Sequence, residues 1–156
     1  MKKIIELASI TALALILTGC GNEDKELVTK CKLTSNVPAS NYSLNSNYIV
    51  YSKNNVVDKV VTEEVVSSEN ENILNYFKEQ LETTYKAQND AYGGVTNEVK
   101  VEEGKITSLT TIDYNKMDLE KYIEDNSVLN KYVNDDNKLT TAGVVGIYQS
   151  LGAVCE

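Results

Sequence analysis

The chain has no histidine, no arginine and no tryptophan, and its 156 residues include a single proline and a single phenylalanine. Without an imidazole there is no Ser–His or Cys–His nucleophile pair and no histidine-held metal. Without a guanidinium there is no bidentate clamp on phosphate or carboxylate. Positive charge is scarce as well: 15 lysines stand against 23 acidic residues, a net charge of -8. That balance argues against a grip on nucleic acid. What remains, 42% hydrophobic and 24% charged residues, is ordinary globular composition, enough for one domain and too little for a multidomain enzyme.

The first twenty residues carry an address. Lys2 and Lys3 form a short basic region, and the apolar stretch closes with Ile10 to Leu17, Ile-Thr-Ala-Leu-Ala-Leu-Ile-Leu. It is short for a membrane span, which needs about 20 apolar residues, and it ends in small residues, so residues 1–19 read as a signal peptide. Leu17-Thr18-Gly19-Cys20 closely resembles the bacterial lipobox. The resemblance implies that the peptidase recognises Leu17, Thr18 and Gly19, and that Cys20 becomes the diacylated first residue. Two acyl chains make a stable anchor, at about 0.8 kcal/mol per buried methylene. The expected location is the outer face of the bacterial cell membrane, on the bilayer without crossing it. Loss of Lys2, Lys3 and Glu6 with the signal deepens the charge from -8 to -9. Residues 20–30 are charged and polar, a solvated tether ahead of a domain over 31–156.

Lipidation uses one of the three cysteines and leaves Cys31 and Cys155. Export places this pair where disulfides persist, and the even count predicts a bridge joining the two ends of the domain. Neither cysteine has the paired, helix-start setting of a redox-active dithiol.

Hydrophobic periodicity predicts an α+β domain. Cys31 to Thr34 is a short first strand. Tyr42 to Tyr51 alternates Tyr42, Leu44, Tyr48 and Val50 on one face, Lys53-Asn54-Asn55 turns, and Val56 to Val66 returns. Residues 67–71 offer helix caps before Ile73, Phe77, Leu81 and Tyr85, with Leu74 beside them. That helix is expected to give out near Asn89-Asp90, ahead of Gly93-Gly94. A second hairpin pairs Val95 to Val101 with Ile106 to Tyr114, although Ile106, Leu109 and Ile112 alternate imperfectly and leave the register open. Asp118 caps a helix to about Tyr132, Thr140 or Thr141 caps a last one to Leu151, and Ala153-Val154-Cys155 is long enough for an edge strand. The whole reads as an antiparallel sheet of two hairpins with about three helices on one face.

The stretch Ile106-Thr-Ser-Leu-Thr-Thr-Ile-Asp-Tyr-Asn-Lys-Met-Asp-Leu119 resembles the strand-to-helix segment of the YehR-like bacterial lipoproteins, small exported proteins without an assigned activity. The order around it is similar too: lipobox, Lys- and Val-rich hairpin, amphipathic helix, this segment, and a closing helix ending in Leu151-Gly152-Ala153. The likeness covers most of the mature chain. It implies a membrane-anchored α+β domain and carries over no catalytic residue; the Cys31 and Cys155 pair looks like a subgroup feature.

No residue set calls for a cofactor or metal, and none is expected. Asn134-Asp135-Asp136-Asn137 gathers calcium-type oxygens, yet it lacks the Gly and the bidentate Glu of an EF-hand and reads as a loop. Glu63-Glu64 and Glu102-Glu103 are neighbours on strands, so each pair splits across two faces. Tyrosine is the enriched contact residue, 10 against one Phe. Tyr42, Tyr48, Tyr51, Tyr92 and Tyr114 are the candidate ligand or partner contacts, with core and rim packing as their other use. Val95 to Ile112 could also lend an edge to a partner's strand. Two function classes follow. One is a non-catalytic, lipid-anchored module that binds an unidentified protein or small ligand. The other is a carboxylate-based hydrolase of envelope or extracellular substrates, which needs two converging acids with divided pKa values.

Overall fold

A computed structural model describes residues 26–156. The expected signal peptide, Leu17, Thr18, Gly19, the lipidation residue Cys20 and the tether residues 21–25 lie outside the described residues. Six strands form one sheet: β1 (Glu26–Val37), β2 (Tyr42–Lys53), β3 (Val56–Ser67), β4 (Val95–Glu102), β5 (Lys105–Asp113) and β6 (Val154–Cys155). Their order is β4-β5-β3-β2-β1-β6, every neighbouring pair antiparallel. Three helices, α1 (Glu71–Tyr92), α2 (Leu119–Asp125) and α3 (Thr141–Ser150), complete the expected α+β architecture, with a C-terminal edge strand as expected.

Local chemistry accounts for the boundaries. Asn54 and Asn55 take φ values of 52° and 63° in the β2–β3 turn, a left-handed conformation that asparagine tolerates. The helix caps are side-chain acceptors: Asn70 for the Asn72 N–H at 3.0 Å, Asp118 for Lys121 at 3.2 Å and Thr140 for Gly143 at 3.1 Å. Each satisfies an N–H that the first turn leaves open. α1 runs to Tyr92, slightly past the expected end, and closes when the Gly93 N–H reaches the Asn89 carbonyl at 2.8 Å.

Two expectations are corrected. The first strand begins at Glu26, so Glu26–Lys30 is sheet and not tether; its backbone pairs with Lys53 to Ile49 of β2. Leu27 and Val28 stand there between charged and polar residues, and the distant β2 ladder supplies the partners for the segment's N–H and C=O groups,. The helix expected from Asp118 to Tyr132 breaks at Asn126 into α2 and a 3₁₀ turn over Ser127–Tyr132. At Asn126 the backbone N–H is shared between the Tyr122 and Ile123 carbonyls at 3.2 Å each, the passage from α to 3₁₀ bonding, and the side chain adds a bond to the Tyr122 carbonyl at 2.8 Å,.

The helices lie on one side of the sheet. Val50, Val57, Val60, Leu119, Ile123, Leu129, Leu139 and Val144 form the larger core under α2 and α3, and Val66, Leu74 and Ile106 form a second under α1. Cys31 and Cys155 are disulfide-bonded across β1 and β6, 124 residues apart in sequence. Beside the bridge, Lys30 and Glu156 exchange two backbone hydrogen bonds of 2.9 Å.

Replacing both Cys31 and Cys155 by Ser should lower the unfolding free energy by about 2–5 kcal/mol, the usual cost of losing a native bridge around so long a loop. Urea denaturation of the oxidised protein and the double variant measures it. Gly94→Ala should cost at least about 2 kcal/mol by the same assay. Gly94 has φ of +72°, and an added Cβ would sit 2.5 Å from the Asp113 carbonyl oxygen.

Candidate functional site

A pleated strand sends alternate residues to opposite faces, and cross-strand partners share a face. The register therefore sorts the sheet into rows. One row under the helices runs Cys31, Tyr48, Thr62, Thr110, Asn97, and the next runs Leu33, Ser46, Glu64, Ser108, Val99. On the other face, free of helices among the described residues, one row runs Lys30, Ile49, Val61, Thr111, Thr96. Its neighbour runs Val154, Lys32, Asn47, Glu63, Leu109, Glu98.

These last two rows form a groove of about 630 Å³ across five strands, from Val154 on β6 to Leu109 on β5. Ile49, Val61 and Leu109 are its apolar floor, and Val154 stands at its β6 end, 77% exposed. Leu109 is 48% exposed. A sheet face turned to water ordinarily alternates to polar residues, so the apolar strip there makes this face the candidate contact surface. Lys30 and Lys32 flank the floor on β1, and neither ammonium forms an ion pair with another described residue. Glu63 borders the groove too, its carboxylate accepting from the Asn47 amide at 3.0 Å. Glu156 lies beside Lys30.

Of the tyrosine candidates Tyr48 borders the groove, although its ring stacks on the helix side; Ile49, Val61, Leu109 and Val154 were not candidates, though the sequence carries a signal for them. Consecutive apolar residues in one strand, Tyr48-Ile49-Val50-Tyr51 on β2 and Val60-Val61 on β3, place apolar side chains on both faces. Leu109 explains the imperfect pattern of β5. It faces outward, while Ser108 and Thr110 are buried beneath the helices and receive the Asn97 amide at 2.7 and 2.8 Å.

The tyrosines are scattered instead of forming one patch. Tyr48 is buried and stacks on Tyr148 at 4.1 Å between ring centroids. Tyr42 meets Phe77 edge-on at 4.9 Å on the helix side, and Tyr114 packs against the larger core, where burial drives its phenol pKa far up. Tyr92, at the end of α1, donates to Asp125 at 3.1 Å and lies edge-on to Tyr122. Only Tyr51 of the five belongs to the helix-free face, with the Lys59 ammonium 4.3 Å from its ring centroid. The packing use thus dominates for the other four.

The acids divide as strand geometry requires. Glu63 faces the groove, whereas Glu64 faces the helices and accepts a hydrogen bond from the Tyr85 hydroxyl of α1 at 3.0 Å. Burial holds Glu64 above its ordinary pKa, with the Tyr85 bond pulling the other way. The same burial, then the nearby Glu64 charge, pushes Tyr85 up. Asp113 is shifted downward by its bond to Lys116 at 2.8 Å. It lies five positions along the ladder from Glu64 and on the opposite face, so these two acids do not converge. In the Asn134–Asn137 turn, the Asn134 side chain accepts from the Asp136 and Lys138 backbone at 3.1 and 2.9 Å. No group of three metal-ligating residues occurs among the described residues.

The sequence matches no protein-family profile and no curated protein. Two solved structures are similar. An NMR structure of the E. coli YehR protein is 18% identical with a TM-score of 0.53, over 85% of this chain and 92% of that one. An NMR structure of a protein from Streptococcus pneumoniae TIGR4 is 16% identical with a TM-score of 0.47, over 100% and 99%. The first likeness places the chain with YehR in fold, as the sequence led one to expect.

The buried acid has a pH consequence. Because the folded pKa of Glu64 is raised, the native state holds that proton more tightly than the unfolded chain, and stability falls as pH rises through the window above 4.5,. Glu64→Gln, which still accepts from Tyr85, should melt higher than wild type at pH 7. The difference should vanish below pH 4, and thermal melts across pH 3.5 to 8 check both.

Proposed function

We propose that this chain is an exported lipoprotein, diacylated on Cys20 and held at the outer face of the cell membrane, whose domain binds a ligand or partner through the helix-free face of its sheet. The observation that carries the binding assignment is the groove: an apolar floor of Ile49, Val61 and Leu109 beside two lysines with no ion pair to another described residue, on the face opposite the described helices. Its volume, about 630 Å³, lies within the range of ligand sites. The anchor reading rests on Lys2, Lys3, the apolar stretch and Leu17-Thr18-Gly19-Cys20. A Cys31–Cys155 disulfide suits an oxidising compartment outside the cytoplasm and supports export,.

The position of β1 joins the two parts. It begins six residues after Cys20, and six residues reach at most about 21 Å. The strand bearing Lys30 and Lys32 is thereby held close to the bilayer. No observation favours the hydrolase over this binding role: Glu64, the carboxylate with the raised pKa, lies beneath the helices and does not face Asp113.

Growth with an alkyne-tagged fatty acid should label the full-length protein, and Cys20→Ser should carry none; label persisting in the variant overturns the anchor. For the binding face, a photo-reactive residue at Leu109 should give a discrete adduct in intact cells, and one at Tyr76, 59% exposed on α1, should give none. Equal yields at the two positions overturn the assignment to this face.

A further inference from the structure

We infer that the groove takes a single-chain amphiphile with an anionic head, drawn from the bilayer beside which the domain is held. The inference deepens the binding assignment above and rests on it. Three features select this chemistry. The first is shape: the groove runs across strands, not along one, so it offers a trench of side chains and no free backbone edge for a peptide to pair with. From Lys30 and Lys32 on β1 to Leu109 on β5 there are three strand spacings, about 14 Å. An acyl chain spanning one leaflet, half of a core of about 30 Å, has much the same reach.

The second feature is the separation of charge from apolar surface. The two lysines stand on β1, one strand in from the β6 end, and Ile49, Val61 and Leu109 follow in strand order away from them. A head held at Lys30 and Lys32 lays its chain over that floor, with the Asn47–Glu63 pair along one side. Glu156 sits on the far side of the lysines and disfavours an anion placed deeper toward β6. Lys30 and Lys32 lie two residues apart on the same face of β1 beside the apolar floor, with no ion pair to another described residue, and so offer an anionic group two adjacent ammoniums. Lysine stems can also lie along an aliphatic chain while the heads stay wet.

The third feature is position. The domain as a whole is acidic and gains nothing from an anionic bilayer surface, so the lysine pair favours capture of one molecule over docking of the face onto the membrane.

The test is photolabelling of membranes from cells expressing the full-length protein, with a diazirine- and alkyne-bearing palmitic acid added after washing. Brief exposure separates non-covalent occupancy from metabolic lipidation at Cys20. Mass spectrometry should place adducts on peptides holding Ile49, Val61 and Leu109, with excess palmitate competing. The double variant Lys30→Glu/Lys32→Glu should cut labelling by the acid at least ten-fold while leaving labelling by the corresponding long-chain alcohol within two-fold. Leu109→Asp should lower both. These residues are on the surface, and unchanged circular dichroism of each variant secures the comparison. Acid labelling that survives the lysine reversal overturns the anionic head, and adducts spread evenly over the domain overturn the amphiphile. If the Leu109 photo-residue instead captures a protein of discrete mass, or a second copy of this chain, while palmitate labels nothing in the groove, the amphiphile is wrong and the binding face stands.

Discussion

The pleat of the sheet is the constraint on which the other features depend. Each strand residue belongs to one face, and the antiparallel register carries that assignment from strand to strand, from Asn97 through Thr110, Thr62 and Tyr48 to Cys31. Once Val50 and Val60 are committed to the core under α2 and α3, Ile49 and Val61 must face the other way. The groove is thus the complement of the core: the same register that buries one set of apolar residues exposes the other. A slip of one residue anywhere in the ladder would exchange them.

The helix side of the sheet is less apolar than a core usually is. Ser46, Ser52, Ser108, Thr62 and Thr110 are buried there, and Glu64 lies among them with only the Tyr85 hydroxyl as its side-chain hydrogen-bond partner in the described residues. Small hydroxyl residues let helices approach closely, and the tyrosines above them fill the space with rings such as the Tyr48–Tyr148 stack. Tyr85 shows what tyrosine offers over phenylalanine on this side: its ring packs while its hydroxyl reaches Glu64,. The disulfide ties the short β6 to the middle of β1, where two strand residues alone would hold the C-terminal segment weakly. By keeping Val154 and Glu156 against Lys32 and Lys30, it also shapes one end of the groove.

Much of the fold was legible because its signals are local. Asn54-Asn55, Gly93-Gly94 and Gly104 mark reversals through backbone conformation, and Asp118 and Thr140 announce helices through the hydrogen bonds that their own side chains accept. The strand at Glu26–Lys30 and the break at Asn126 were missed for related reasons. The first depends on pairing with residues 19 to 27 positions away, and the second on a change from α to 3₁₀ bonding at one asparagine, which a periodicity count ignores. The tyrosine candidates are dispersed over the fold because enrichment in composition says nothing about which side of a pleat each ring takes.

By itself the sequence determined the α+β class, the hairpins, the caps and the Cys31 and Cys155 pairing, since each follows from residues that are neighbours in the chain or from a count. The proposed export and lipidation are likewise read from the linear order of residues 1–20, whose Leu17-Thr18-Gly19-Cys20 resembles a lipobox, and need no fold. The tertiary structure alone decided which apolar residues stay outside and which lysines stand beside them. Lys30, Lys32, Ile49, Val61, Leu109 and Val154 come from five strands, and only the register of the assembled sheet brings them into one groove. Long-range strand pairing sets that register, and the interactions that select it do not exist until the strands have met.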